Sequence, residues 1–411
     1  MASIKVKFRP STVADREGTI YYQIIHERKV RQLLSAYHVL PAEWDTNRSI
    51  VVTTHKNSRK SHLLIIRERI ARDVERLTRI GRKLTAGVMA YSVDDIVDEF
   101  NRYSSEYSLF NYMERIIVKL KRNGKVRTSE AYKSAQSSFR KFLCDDKCRD
   151  MFLGEDDVML DCLTSDTMEA YEAWLKARGI SPNTISFYIR IFRAVYNRAV
   201  EEGITDNRNI FRHVYTGIEK TVKRALPLSA IKKIRILDLS LTPAIDFARD
   251  MFMMSFYLRG MSFIDMAFLR KSDLQNGYIV YRRRKTGQLL TIEWTREMQM
   301  IFDKYPENAS VYLLPIIKSS ATNERYCYRN AGYNINHNLK KVAEMLGINF
   351  RLTMYVARHS WASAAKAKGI PLSVISEGMG HDSETTTQIY LASLDTSVVD
   401  KANSLILRAL K

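Results

Sequence analysis

Apolar and polar residues alternate along the first fifty positions of this chain and then switch to a helical period. Val6 and Phe8 alternate with Lys5, Lys7 and Arg9, the two-residue repeat of a half-buried strand. A β-branched and aromatic run from Thr19 to Ile25 follows the turn-forming Asp15 to Gly18. A third run spans about Lys29 to Leu40, ahead of Pro41. From about Ser58 to Leu84 the pattern predicts a helix. Leu63, Ile66, Ile70, Val74, Leu77 and Leu84 form its apolar stripe, and Arg67, Arg69, Arg72, Arg76, Arg79 and Arg82 cover much of the rest. Such an arginine stripe is ordinarily a solvated face. Gly81 weakens the helix end and Gly87 stops it.

Residues 88–107 read as a linker with a short acidic helix, Asp94 to Phe100. Four helices follow. The first spans about Leu109–Arg122 and ends at Gly124. The second spans about Ser129–Leu143, with Thr128 as its cap. The third spans about Asp166–Arg178, after Ser165. The fourth opens at Ser181-Pro182-Asn183, with Ser181 as N-cap and Pro182 in the first turn. In the fourth, Ile185, Ile189, Phe192, Val195 and Tyr196 share an apolar face, while Arg190, Arg193 and Arg198 fall elsewhere. Phe192 and Tyr196 therefore read as core. A second linker covers 207–226. From Pro227 the helical period returns, broken by a hairpin over Tyr278–Trp294 that turns at Lys285-Thr286-Gly287. The pattern predicts domains at 1–87, 108–206 and 227–411: multidomain, mainly α with small β elements.

Charge narrows the partners. The 411 residues carry 65 Lys and Arg against 45 Asp and Glu, a formal net charge of +20. Such an excess points to a polyanion. Residues 1–87 hold 18 basic against 8 acidic residues, which predicts a basic module there. The four cysteines, Cys144, Cys148, Cys162 and Cys327, are too few for a disulfide framework and lack zinc-ligand spacing, so no metal is expected. No stretch has signal-peptide or membrane-span character, which predicts a cytoplasmic protein with no membrane contact.

The chemistry concentrates near the C-terminus. Arg358-His359 is followed by Met379-Gly380-His381 and, nine residues later, Tyr390, which is preceded by Thr385-Thr386-Thr387 and Ile389. Phosphodiester transfer needs these residue types. Guanidinium forks bind non-bridging oxygens, imidazole donates or handles protons near neutrality, and a phenol becomes an effective nucleophile only beside such groups. Each residue alone has a bland reading: a buried capping histidine, a helix-face tyrosine, surface charges. The joint spacing does not.

The arrangement resembles the tyrosine recombinase, or phage integrase, family, whose pattern is His-x-x-Arg-His, then Leu-Gly-His, then Tyr. The resemblance covers residues 227–411 and extends to 108–203, where Ala-Trp-Leu-Lys-Ala-Arg-Gly-Ile-Ser-Pro-Asn-Thr is also typical. It implies an N-terminal α/β arm-binding domain, a SAM-like four-helix core-binding domain and a mixed α/β catalytic domain. Tyr390 would form a 3′-phosphotyrosine, Arg358 would bind the scissile phosphate, His381 would donate to it or assist the proton, and Lys285 would protonate the leaving 5′ oxygen. No cofactor, metal or nucleotide would be needed.

Double-stranded DNA would be the partner, contacted by Lys5, Lys7, Arg67, Arg190, Arg193 and Arg198. A chain monomeric in solution would act as a homotetramer through a Holliday junction, with accessory DNA-bending or directionality proteins, at the bacterial nucleoid. A last helix, about Thr396–Leu410, would dock on a neighbouring subunit.

Two positions depart from the family. Tyr355 stands where the family has His, which would bring His359 closer to the chemistry. Ser262 stands where the family has its first catalytic Arg, although Asp265 keeps the acidic position. Arg259 is the favoured replacement, with Arg249 as the alternative. These departures keep a catalytically impaired DNA-binding homologue in view. A type IB topoisomerase shares the tyrosine chemistry, but the separate N-terminal module argues against it.

Overall fold

The structure is a computed structural model. It describes residues 2–13, 15–53, 59–87, 89–146, 148, 152–153, 156–219, 224–305, 309–318, 323–392 and 407; the side chains of Ile389, Tyr390 and Ala392 lie outside the described set. The helix expected over Thr396–Leu410 falls outside it too, apart from Leu407. The chain forms two compact units, Met1–Glu219 and Lys220–Lys411.

In the first unit, β1 (Ser3–Arg9), β2 (Gly18–His26) and β3 (Lys29–Val39) make an antiparallel sheet in that order. A short hairpin follows, β4 (Trp44–Asp45) and β5 (Ile50–Val51). Alternation sets the sheet's two faces. Ile20, Tyr22, Ile24 and Val39 are buried with Leu63, Ile66 and Leu77 of the long helix α1 (Lys60–Ala86). Lys5, Lys7 and Arg9 are exposed on the other face, and Lys7 pairs across with Tyr21 and on to Leu34.

The expected linker at 88–107 is largely a helix, α2 (Val93–Glu106). Ser92 caps it, its hydroxyl accepting from Asp95 N at 3.2 Å while Asp95 accepts from Ser92 N at 2.7 Å, a reciprocal box that satisfies two end donors. Ile96 and Phe100 enter the core beneath the sheet.

The four helices follow as α3 (Leu109–Arg122), α4 (Val126–Leu143), α5 (Ser165–Ala177) and α6 (Pro182–Glu201). Thr128 does not cap the second, which begins at Val126 with Lys125 at the cap position. Thr164, not Ser165, caps the third by accepting from Thr167 N at 3.2 Å. Phe139 centres the core, 4.9 Å from the rings of both Tyr171 and Phe192; Phe192 and Tyr196 are buried there. The segment read as a second linker at 207–226 is packed over its first part. Ile210 and Val214 join the helical core, and Arg208 donates to Asp161 O at 2.8 Å.

The arginine stripe of α1 is only partly solvated. Arg76 is 2% exposed and Arg69 6%. Arg76 donates to both carboxylate oxygens of Asp161, at 2.7 and 2.9 Å, and to Asp73 at 2.8 Å, which in turn accepts from the Tyr22 hydroxyl at 2.7 Å. This chain of buried charge runs from the sheet through α1 to the helical layer. The N-terminal module is therefore docked on the four helices.

The second unit contains α7 (Leu228–Ile236), α8 (Pro243–Tyr257), α9 (Phe263–Ala267), an antiparallel sheet of β6 (Leu274–Gln275), β7 (Tyr278–Arg282) and β8 (Leu289–Glu293), then α10 (Arg296–Phe302), α11 (Glu324–Met345), α12 (Met354–Ala367), α13 (Leu372–Met379) and α14 (Glu384–Ala392). Helix α8 is its axis. Met251, Phe252, Met253 and Met254 are all buried, against α11 on one side and α12 on another. Helix α14 packs on α12 and α13 through a small cluster of Ala362, Ile375, Met379 and Leu391.

Candidate active site

Three elements of the second unit converge on the end of α13. The first is α12. Its Arg358 is 4% exposed, and a charge that deep must be hydrogen-bonded. Arg358 Nη1 donates to Gly260 O at 2.7 Å, and Nη2 donates to Met379 O at 2.8 Å. Gly260 is required where α12 crosses it. It sits at φ +73°, and a Cβ there would lie 2.8 Å from Arg358 Cα.

The second element is the β7–β8 hairpin. Ile279 and Tyr281 point inward on β7, and the alternation continues to Arg283, which is buried. Its Nη1 donates to Gly380 O, which also accepts from Thr286 Oγ1 at 3.4 Å. Two guanidinium groups from different elements thus donate to the consecutive carbonyls of Met379 and Gly380. Lys285 is exposed in the turn, which closes through Gly287 N donating to Arg283 O at 2.7 Å. Asp265, buried, accepts from Ser262 Oγ at 2.6 Å and from Arg284 N at 3.0 Å. It ties the hairpin to the turn where the family's first arginine was expected.

The third element is the α13 end itself. Gly380 closes α13 in the left-handed region at φ +64°, and His381 N donates back to Ser376 O at 3.0 Å, the usual way of satisfying terminal carbonyls. His381 Nε2 lies 3.1 Å from Arg358 Nη2. Guanidinium only donates, so Nε2 accepts, and Nδ1 carries the proton that it donates to Thr387 Oγ1 at 2.7 Å. Burial, then the charges of Arg358, Arg283 and Lys285, push the His381 pKa down to about 4.

The sign of the resulting pH effect follows by linkage. Unfolded, this histidine takes a proton near 6.5; folded, only near 4. As pH falls through that window the unfolded chain binds the proton first, so folding stability declines from about 6.5 to about 4 and is unaffected above. Denaturation midpoints measured across that range should fall less steeply in His381→Gln than in the unmodified chain.

The remaining candidates are placed as follows. Arg259 is half-buried at φ +57°, with its stem beside Gly378. Arg249 is committed elsewhere: it donates to Asp250 at 2.6 Å, to Leu237 O at 2.8 Å and to Asp246. Tyr355 is 54% exposed and opens with Arg358 and Ser262 on one groove. His359 is buried, its ring edge-on to Tyr355 with centroids 4.5 Å apart. Tyr390 lies on α14, nine residues beyond His381.

The DNA-contact candidates all belong to the first unit. Lys5, Lys7, Arg67 and Arg193 are exposed, Arg190 is half-buried, and Arg198 pairs with Glu202 at 3.0 Å. Sequence reasoning missed Arg283. Its signal was the inward alternation of Ile279 and Tyr281, extended one step past the strand.

Residues 108–214 match the phage integrase SAM-like domain, and residues 234–397 match the phage integrase family. The chain belongs to the phage integrase family of tyrosine recombinases. Tyrosine recombinase XerA of Pyrococcus furiosus is 25% identical over 223 residues, covering 53% of this chain and 72% of its own. Tyrosine recombinase XerD of Listeria innocua is 23% identical over 245 residues, covering 56% and 78%. The fold is similar to that of a lambda integrase dimer bound to a COC′ core site (TM-score 0.52, 16% identity, 93% of each chain). It is likewise similar to a lambda integrase tetramer bound to a Holliday junction (TM-score 0.51, 15% identity, 92% and 96%). This tyrosine recombinase is a DNA strand-transfer enzyme that acts through its C-terminal catalytic domain. Among the described residues, no helix is long and apolar enough to cross a membrane.

Proposed function

We propose that this recombinase cleaves and rejoins specific duplex DNA sites through a 3′-phosphotyrosine at Tyr390, as the integrase of a mobile element or as a DNA invertase. One observation carries the reading: Arg358 and Arg283 donate to adjacent carbonyls beside His381, with Lys285 in the same hairpin turn. Buried positive charge of this kind suits a phosphodiester, whose non-bridging oxygens gain charge as the fifth bond forms.

In the step itself, the Tyr390 oxygen bonds to phosphorus and its proton passes to His381 Nε2, the acceptor nitrogen of that ring, as the bond to the 5′ oxygen breaks. Arg358 and Arg283 bind the non-bridging oxygens, and Lys285 gives the leaving oxygen its proton. The phosphotyrosyl ester keeps the energy of the broken bond, so religation is the reverse reaction and draws on no nucleotide. Arg283 takes the place of the family arginine absent at Ser262; Arg259, whose stem lies beside Gly378, is the alternative. Tyr355 donates a hydrogen bond from the position that is histidine in the family.

The exposed face with Lys5 and Lys7, and the basic flank of α6 with Arg190 and Arg193, would bind DNA chiefly through phosphates. Affinity would then fall steeply with salt. Four protomers act together, with accessory bending or directionality proteins, in the bacterial cytoplasm.

A nicked suicide duplex carrying the cognate core site tests the reading. The unmodified chain should accumulate a covalent protein–DNA adduct, and Tyr390→Phe should form none while still binding. Binding without any adduct would favour a DNA-binding homologue that has lost cleavage, the reading that Ser262 and Tyr355 support.

A further inference from the structure

Thr387 is fully buried on α14, and its hydroxyl oxygen accepts the His381 Nδ1 proton at 2.7 Å. The opposite ring nitrogen, Nε2, accepts from Arg358 at 3.1 Å, which sets the Nδ1–H tautomer. The backbone of His381 is fixed separately, by the α13 cap. The ring's orientation against Arg358 therefore depends on a group carried by a different helix. Tyr390 follows Thr387 by three residues, about one turn along that helix.

We propose that Thr387 is a positioning residue that anchors the His381 ring through Nδ1–H so that Nε2 faces Arg358, and couples that orientation to the seating of the helix bearing Tyr390. The proposal rests on the cleavage chemistry proposed above. When α14 is seated, His381 presents an acceptor to the site, able to take a proton but not to give one. When α14 is displaced, the Nδ1 proton loses the Thr387 oxygen and the ring can turn away from Arg358. The ring's orientation is thereby set by whether the nucleophile's helix is in place. The dependence is the one by which an outer hydrogen-bond partner fixes the ring of a functional histidine.

The test combines single-turnover cleavage of the nicked duplex with nitrogen-15 shifts of the histidine rings in the full-length chain, His381 being assigned by comparison with His381→Gln. Thr387→Val keeps the shape and removes the hydroxyl. It should slow cleavage roughly 10- to 100-fold at unchanged DNA affinity and shift the Nδ1 resonance as its hydrogen bond is lost. Thr387→Ser keeps the hydroxyl and should restore most of the rate and the original ring shifts. Cleavage by Thr387→Val at the unmodified rate would overturn the proposal. So would a ring protonated on Nε2 in the unmodified chain, or equal loss in the Val and Ser variants. If the unmodified chain forms no adduct at its core site, the cleavage reading fails, while the ring shifts still decide the tautomer.

Discussion

Arg283→Ala is expected to slow strand cleavage by roughly 10²–10³-fold, the usual loss when one preorganised donor to a developing oxyanion is removed. DNA affinity should change little. The side chain is buried at the end of β7 and donates to Gly380 O, one residue from the carbonyl that Arg358 engages. Its stem runs close against Gly380, where a Cβ would lie 3.0 Å from Arg283 Cδ. Arg283→Lys should recover only part of the rate, because an ammonium cannot bridge two oxygens as a planar fork does. Arg259→Ala is the companion variant, and single-turnover cleavage is the measurement. If Arg283→Ala cleaves normally and Arg259→Ala does not, the second guanidinium belongs to Arg259.

Asp161→Ala should destabilise the first unit by about 3–5 kcal/mol, because it leaves the Arg76 guanidinium buried with one of its two carboxylates gone. Arg76 is 2% exposed and takes three hydrogen bonds with Asp161, at 2.7, 2.9 and 3.1 Å. Replacing both residues with apolar ones of similar volume, Arg76→Met with Asp161→Leu, should recover only part of that loss: the desolvation cost of the pair disappears, but Asp73 is left buried without its guanidinium. Urea denaturation followed through a fluorophore in this unit checks both. The pair joins α1 to the segment just ahead of α5, so the single variant should also expose the sheet module to proteolysis at milder conditions than the double one.

Much of this was legible beforehand, for physical reasons. Arg358, His381 and Lys285 were readable because their spacing follows from one helix, one helix end and one tight turn, all local structures with strong residue preferences. The strands of the first unit were readable because a sheet with one wet face writes its alternation into the chain. The buried arginines were not. Arg69 and Arg76 belong to the same run of helix arginines as Arg67 and Arg72, and for Arg76 only the tertiary approach of Asp161, 85 positions away, separates a core charge from a solvated one. The helix within 88–107 was legible only over Asp94 to Phe100 and runs on to Glu106; its apolar residues are few, and its Ser92–Asp95 box marks its start. Arg283 is not legible from the hairpin's turn residues; only the inward alternation of Ile279 and Tyr281, carried past the strand's last residue, points to its burial.

Tyr390 is the proposed nucleophile. Nuclease digestion of the trapped adduct, followed by mass spectrometry of its tryptic peptides, should find the nucleotide remnant on the peptide that contains Tyr390. A remnant on a peptide carrying any other of the 22 tyrosines, or on a serine, would contradict it.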